Sequence, residues 1–138
     1  MITIDGKTYK ATWLQDLQLN TEILNGENSG RLQGSAKMYL EYIGTFFNYT
    51  GELKRDGDCT DEEWHELFLT LSNPVNKHIG EFPFGTNQVL EQEVYIANLS
   101  MPLRKIDKER NIWDKVISVS FTAISPAWLP SGSIKGLR

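Results

Sequence analysis

Cysteine is nearly missing from this chain. Cys59 stands alone, so it can form no internal disulfide and no cysteine-built metal site. Histidine is almost as scarce, with only His65 and His78. A zinc-binding helix needs a second ligand four residues after the first, and Leu69 occupies that position after His65. His78 has no cysteine or carboxylate pair beside it. A cationic excess is missing too: 14 Lys and Arg face 18 Asp and Glu, for a net charge of -4. Tight nucleic-acid binding usually rests on a basic stripe that releases counterions, and none is present, so we expect no dedicated nucleic-acid binder. No apolar run approaches the ~20 residues of a membrane helix. Met1-Ile2-Thr3-Ile4-Asp5 lacks the charged start and longer apolar run of a secretory signal. The expectation is a protein made and kept in the cytoplasm until assembly, with no membrane partner.

The motifs of chemistry are also missing. No phosphate loop, nucleophile elbow, zinc motif or dinucleotide fingerprint occurs. Cys59 precedes a helix start, which favours a thiolate, but Asp58, Asp61 and Glu62 oppose it. Asp61, Glu62, Glu63 and Glu66 cluster, and helix capping accounts for them without a pocket. We expect no enzyme, no cofactor, no metal and no catalytic role for Cys59, His65 or His78.

What the chain does hold is β pattern and one helix, in a single domain over 1–138. Asp5-Gly6 is a tight-turn signal between Ile2–Ile4 and the alternating run Lys7–Trp13, which predicts a hairpin. Met38, Leu40 and Tyr42 alternate with polar neighbours, and Gly44 suggests a bend or bulge. Phe47, Tyr49, Gly51 and Leu53 alternate likewise. Thr60 with Glu63 forms a capping box, and Trp64, Leu67, Phe68 and Leu71 make one apolar stripe. Ser72-Asn73-Pro74 stops the helix, which should span 60–72 and lie on a sheet. Residues 75–87 read as irregular, 88–99 as a strand with apolar residues on both faces, 105–111 as a charged hairpin tip, and 112–123 as the last strand. Residues 126–138 read as a tail. Trp13, Tyr39, Phe46, Phe47, Tyr49, Trp113 and Trp128 are spread over the strands, and most should be core. Tyr39 and Phe46 fall on polar faces, where they would mark a subunit contact.

Residues 17–36 stand apart. Leu17, Leu19 and Ile23 suit a strand, yet Asn25-Gly26 and Gly30 turn the chain within a polar run. This segment reads either as a solvated loop or as an extended arm that reaches another subunit. The candidate assembly residues are therefore Leu17, Leu19, Ile23, Asn25, Gly26, Gly30, Tyr39 and Phe46.

The order of elements resembles the small tail proteins of long-tailed phages and prophages, in the tail-tube and distal-tail superfamily. The residues that carry the likeness are Met1–Gly6, Asn28–Arg31 before Met38-Tyr39, Ile43–Thr50, the helix Asp61–Leu71 with Pro74, and Val119–Ala123. The resemblance implies a mainly β (α+β) fold, an antiparallel β-sandwich or open barrel flanked by one helix. It implies a homo-oligomeric ring, commonly hexameric, bound to other tail proteins, in the host cytoplasm during assembly and then in the virion tail. It brings no catalytic residues. An acidic channel lining suits passage of DNA, because it repels phosphates. The alternative is a monomeric β-barrel that binds a small ligand in its mouth.

Overall fold

The two-residue turn Asp5-Gly6 shapes the start of the fold. Both residues have positive φ, 52° and 82°, as a type I′ hairpin turn requires. The turn joins β1 (Ile2–Ile4) to β2 (Lys7–Tyr9), with Ile4 opposite Lys7. The chain bends at Lys10 and continues as β3 (Ala11–Trp13), which pairs with a different strand. The computed structural model describes residues 1–25, 30–31, 38–39, 42–106, 111–113, 115–130 and 132–138.

The remaining elements are β4 (Gln18–Asn25), β5 (Gly30–Arg31), β6 (Met38–Tyr39), β7 (Tyr42–Arg55), α1 (Asp61–Ser72), β8 (His78–Pro83), β9 (Val89–Ser100), β10 (Leu103–Ile106), β11 (Asn111–Trp113) and β12 (Val116–Ala123). The large sheet runs β2-β1-β8-β9-β12-β7-β3, antiparallel throughout, with β4 also on β7. Its two ends, β2 and β3, are neighbours in the chain. The bend at Lys10 therefore brings the edges together and nearly closes a barrel. The fold is mainly β with one helix, as the sequence leads one to expect.

Alternation sets the interior. Ile117, Val119, Phe121 and Ala123 of β12 point inward and their neighbours outward. Phe47, Tyr49 and Leu53 of β7 do the same. On β9, Leu90, Gln92 and Val94 point inward until a bulge at Ala97, where Ile96 faces Phe121 but Asn98 faces Ser120. The extra residue shifts the inward positions, so that Leu99 and then Met101 pack on the core. Aromatic rings fill the centre. Tyr49 stacks on Phe82 at 4.6 Å, Phe82 meets Phe121 edge-on at 5.0 Å, and Phe121 meets Trp13 at 5.9 Å.

The helix forms as the pattern predicts. Thr60 is its N-cap, with Oγ1 accepting from Glu63 N at 3.2 Å, and Asn73 before Pro74 leaves the α region. Trp64, Leu67 and Leu71 are buried and Phe68 is half-buried. The Glu63 carboxylate serves a neighbour: Oε1 accepts from Lys10 N at 3.3 Å, at the bend between β2 and β3. Tyr9 Oη meets Thr70 Oγ1 at 3.0 Å, and Lys7 pairs with Glu66. These bonds hold α1 against the seam of the barrel.

Several expectations need correction. Residues 78–83 are not irregular; they form β8, between β1 and β9. Short length and the Gly80 and Pro83 signals hid it. Residues 112–123 are two strands, with β11 paired to β10 and β12 in the barrel. Trp113 and Trp128 are not core; each is more than two-fifths exposed. Gly44 sits at the expected bulge, where Leu24 faces Gly44 but Asn25 faces Tyr42. It also lies where a Cβ would come within 2.6 Å of Pro126. Of the alternating run Met38–Tyr42, Met38 and Tyr39 form β6 and Tyr42 opens β7, while Leu40 and Glu41 lie outside the described residues.

The 126–138 segment is bonded into the sheet. β12 ends at Ala123 while β7 and β9 continue, which leaves a gap between them. Trp128 bridges Thr45 of β7 on one side, and Leu137 bridges Leu90 of β9 on the other. Lys135 N donates to Ala127 O at 2.9 Å and joins the two limbs. Inside the gap, Gln92 Nε2 donates to Phe47 O at 2.8 Å, while its buried Oε1 has no partner among the described residues.

Candidate functional site

The residues with chemical potential do not converge. Cys59 is buried in the core cluster, and burial first, then the nearby Glu63 carboxylate, pushes its thiol pKa up. A protonated buried thiol is a poor nucleophile. His65 is exposed on α1. His78 is placed differently from the loop position its sequence suggests: it is buried at the start of β8. Its Nδ1–H donates to Asp5 Oδ2 at 2.7 Å, and Asp5 Oδ1 accepts from Ile79 N at 2.8 Å. Residues 73 positions apart thus form one contact. It ties the first turn to β8 and accounts for this histidine structurally. Among the described residues no three His, Cys, Asp or Glu side chains lie together as a metal site, and no helix is long and apolar enough to cross a membrane.

Residues 17–25 are where the described structure departs most from a plain barrel. Leu17 is half-buried against the core and anchors the segment's base. From there β4 pairs with β7 along its whole length, Gln18 opposite Thr50 and Leu24 opposite Gly44. β5 and β6 pair in nearly the same register, Gly30 opposite Tyr39. They form a separate two-stranded pair, and residues 26–29 and 40–41, which link it to β4 and β7, lie outside the described residues. Within the 17–36 segment the backbone of Gln18–Asn25 finds its partners on β7, while residues 26–29 and 32–36 lie outside the described residues.

One face of this hairpin continues the barrel interior into solvent. Directly opposed residues share a face, so Leu19 and Thr21 lie beside Tyr49 and Phe47, and Ile23 lies beside Thr45. Tyr49 and Phe47 are buried, but Leu19 is 39% and Ile23 58% exposed. Leu24 and Ile43 add to the exposed apolar surface near the bulge. On the opposite face, half-buried Phe46 sits across from Glu22. Asn25 and Gly30 enter through backbone pairing, Gly26 lies outside the described residues, and Tyr39 is placed only by its backbone in β6.

The free edge of β4 is the second notable feature. Among the described residues β4 pairs with β7 alone. Proteins usually blunt such an edge with lysine, proline or an early bulge. β4 has neither lysine nor proline, only Glu22 as a charge, and seven consecutive partners before its register shifts.

A second hairpin, β10–β11, continues the β9–β12 pair past the barrel. Leu103 and Ile106 of β10 are exposed, Ile106 at 73%. Between its base and α1 lies an open cleft of ≈ 860 Å³, lined by Trp113, Met101, His65, Lys54 and Arg104 among others. Its lining mixes both charges, since Asp56, Asp61 and Glu62 also border it. Of the charged tip expected over 105–111, residues 107–110 lie outside the described residues, and the apolar edge residues were not among the expected sites. Their only signal was Leu103 and Ile106 flanking Arg104-Lys105, a pattern shared with ordinary amphipathic turns.

Comparison with known proteins gives no identification: no protein-family model, no curated protein and no solved structure matches this chain.

Proposed function

We propose that the protein is a structural subunit that joins other copies of itself through the β4–β7 hairpin. In keeping with the resemblance of its sequence, we assign it to a ring of a phage-like tail, assembled in the host cytoplasm beside other tail proteins. The observation that carries the reading is the edge of β4, without a second partner among the described residues, beside the exposed apolar pair Leu19 and Ile23. An exposed, regular, nearly uncharged edge is a liability unless another strand covers it. Strand addition across such an edge is a common mode of protein association. The aromatic rings that fill the barrel centre favour this reading over ligand binding in a barrel mouth. The net charge of -4 suits a channel wall that does not retain DNA.

Sedimentation velocity on a concentration series tests the proposal. Association should grow with concentration, and Ile23→Lys should weaken it without moving the thermal transition. Electron microscopy of the associated form should show closed rings. A monomer at every concentration would sink the reading.

A further inference from the structure

Strand register places the two protruding hairpins at opposite ends of the barrel. β7 runs from Tyr42, out in the β4–β7 hairpin, to Arg55. Its barrel part pairs with β12, Tyr49 opposite Phe121 and Lys54 opposite Val116. The β10–β11 hairpin leads into β12 at Val116, so it leaves the barrel beside Lys54. The β4–β7 hairpin leaves at the other end, beyond Thr45, where Trp128 bridges β7. Glu22 stands opposite Phe46, and at ~3.3 Å per residue Phe46 lies about 26 Å along β7 from Lys54.

Both hairpins expose a strand edge with no second partner among the described residues, β4 in one and β10 in the other. The two edges carry opposite charge. Residues 15–25 hold Asp16 and Glu22 and no cation. Residues 103–115 hold five cations and three carboxylates, a local +2 in a chain of -4. Within the edges, Glu22 lies between Leu19 and Ile23 with Leu24, while Arg104 and Lys105 lie between Leu103 and Ile106. Each edge thus offers apolar residues around a charge of opposite sign.

We infer that the β4 edge of one copy adds to the β10 edge of the next, so that subunits join head to tail. This rests on the reading of the β4–β7 hairpin as the self-association element and names its acceptor. Two different surfaces meeting make a heterologous contact, which propagates to a ring or filament rather than stopping at a two-fold dimer. Like-charged β4 edges would place Glu22 carboxylates near one another, which disfavours a β4-to-β4 pair. β10 is only four residues long, so a single contact is small and depends on the charges. The association is therefore sensitive to salt.

The test uses the full chain in three forms: Glu22→Lys, the pair Arg104→Glu with Lys105→Glu, and all three changes together. The side chains are exposed, so thermal melting should match the parent. Sedimentation should show each of the first two forms associating at least about tenfold more weakly than the parent. The triple form restores opposite signs and should recover. An equal mixture of the first two forms should recover as well, since each then meets an edge of opposite charge. Loss on Glu22→Lys with no effect at 104 and 105 keeps the β4–β7 hairpin as the contact and overturns β10 as its acceptor. The reverse pattern overturns the pairing too, as does disruption by both without recovery in the triple form or the mixture. If neither change matters, or if the parent stays monomeric, the self-association reading falls along with the inference.

Discussion

At the scale of single residues, distant polar groups hold the fold together. Asp5 does two jobs: its positive φ makes the first turn, and its carboxylate serves both His78 Nδ1 and Ile79 N. Asparagine tolerates that backbone and keeps an acceptor for Ile79, whereas alanine does neither. Asp5→Ala should cost about 1–3 kcal/mol through the unpartnered buried donor, while Asp5→Asn should recover most of it. Urea midpoints would decide, and an alanine variant equal to the parent would make the contact idle. Tyr49 is the other residue whose environment matters. Burial pushes its phenol from the ordinary 10 up to about 12, and its hydroxyl donates to Pro83 O at 2.8 Å. The folded state therefore holds this proton more tightly than the unfolded chain does. That stability is complete below about pH 10. It is lost as pH rises through about 12. Phenolate absorbance should show a late step near that pH, and Tyr49→Phe should remove it. A late step that survives the substitution would belong to another ring.

The elements differ in how plainly they could be read beforehand. The helix was legible because cap, charge and stripe agree: Thr60 at the cap, acids in the first turn, Trp64, Leu67 and Leu71 on one face. Leu67 is almost wholly buried, so Leu67→Ala should lower unfolding stability by about 2–5 kcal/mol. A loss under about 0.5 kcal/mol would put the stripe in solvent. β12 was equally legible, since its alternation is unbroken and matches burial residue for residue. β8 was not, because a short strand with glycine and a terminal proline resembles a loop until β1 and β9 pair with it. The role of His78 was hidden for the same reason: its partner Asp5 lies 73 residues earlier in the chain. β4 was half legible. Leu19 and Ile23 suggested a strand, but its partner β7 lies beyond a polar run that looked like a loop. Shortening this hairpin by deleting residues 25–30 should leave the barrel's melting temperature nearly unchanged and abolish self-association. Calorimetry and sedimentation read the two effects separately. A deletion that unfolds the domain makes the hairpin part of the core, and one that still assembles makes it a passive loop.

At the scale of the whole molecule, the strand order sets how the parts depend on one another. β12 lies between β7 and β9, and the bend at Lys10 brings the first strands back to β7. A chain cut after residue 110 would leave β7 and β9 without their shared neighbour and the barrel open. Such a fragment should show no cooperative thermal transition, whereas the full chain melts in one step; a cooperative melt of the fragment would mean that the remaining strands close without β12. The position of β12 also has a bearing on protein synthesis. During translation both flanking strands leave the ribosome before the strand that unites them. The nascent polypeptide must then keep β7 and β9 apart from other sticky segments until β12 arrives. The β4 edge, which has no second partner among the described residues, is already made by that time, so on the proposed association crowded polysomes would bring unfinished copies close together with that edge exposed. Holding assembly until the last barrel strand is in place would keep such copies from becoming trapped as aggregates.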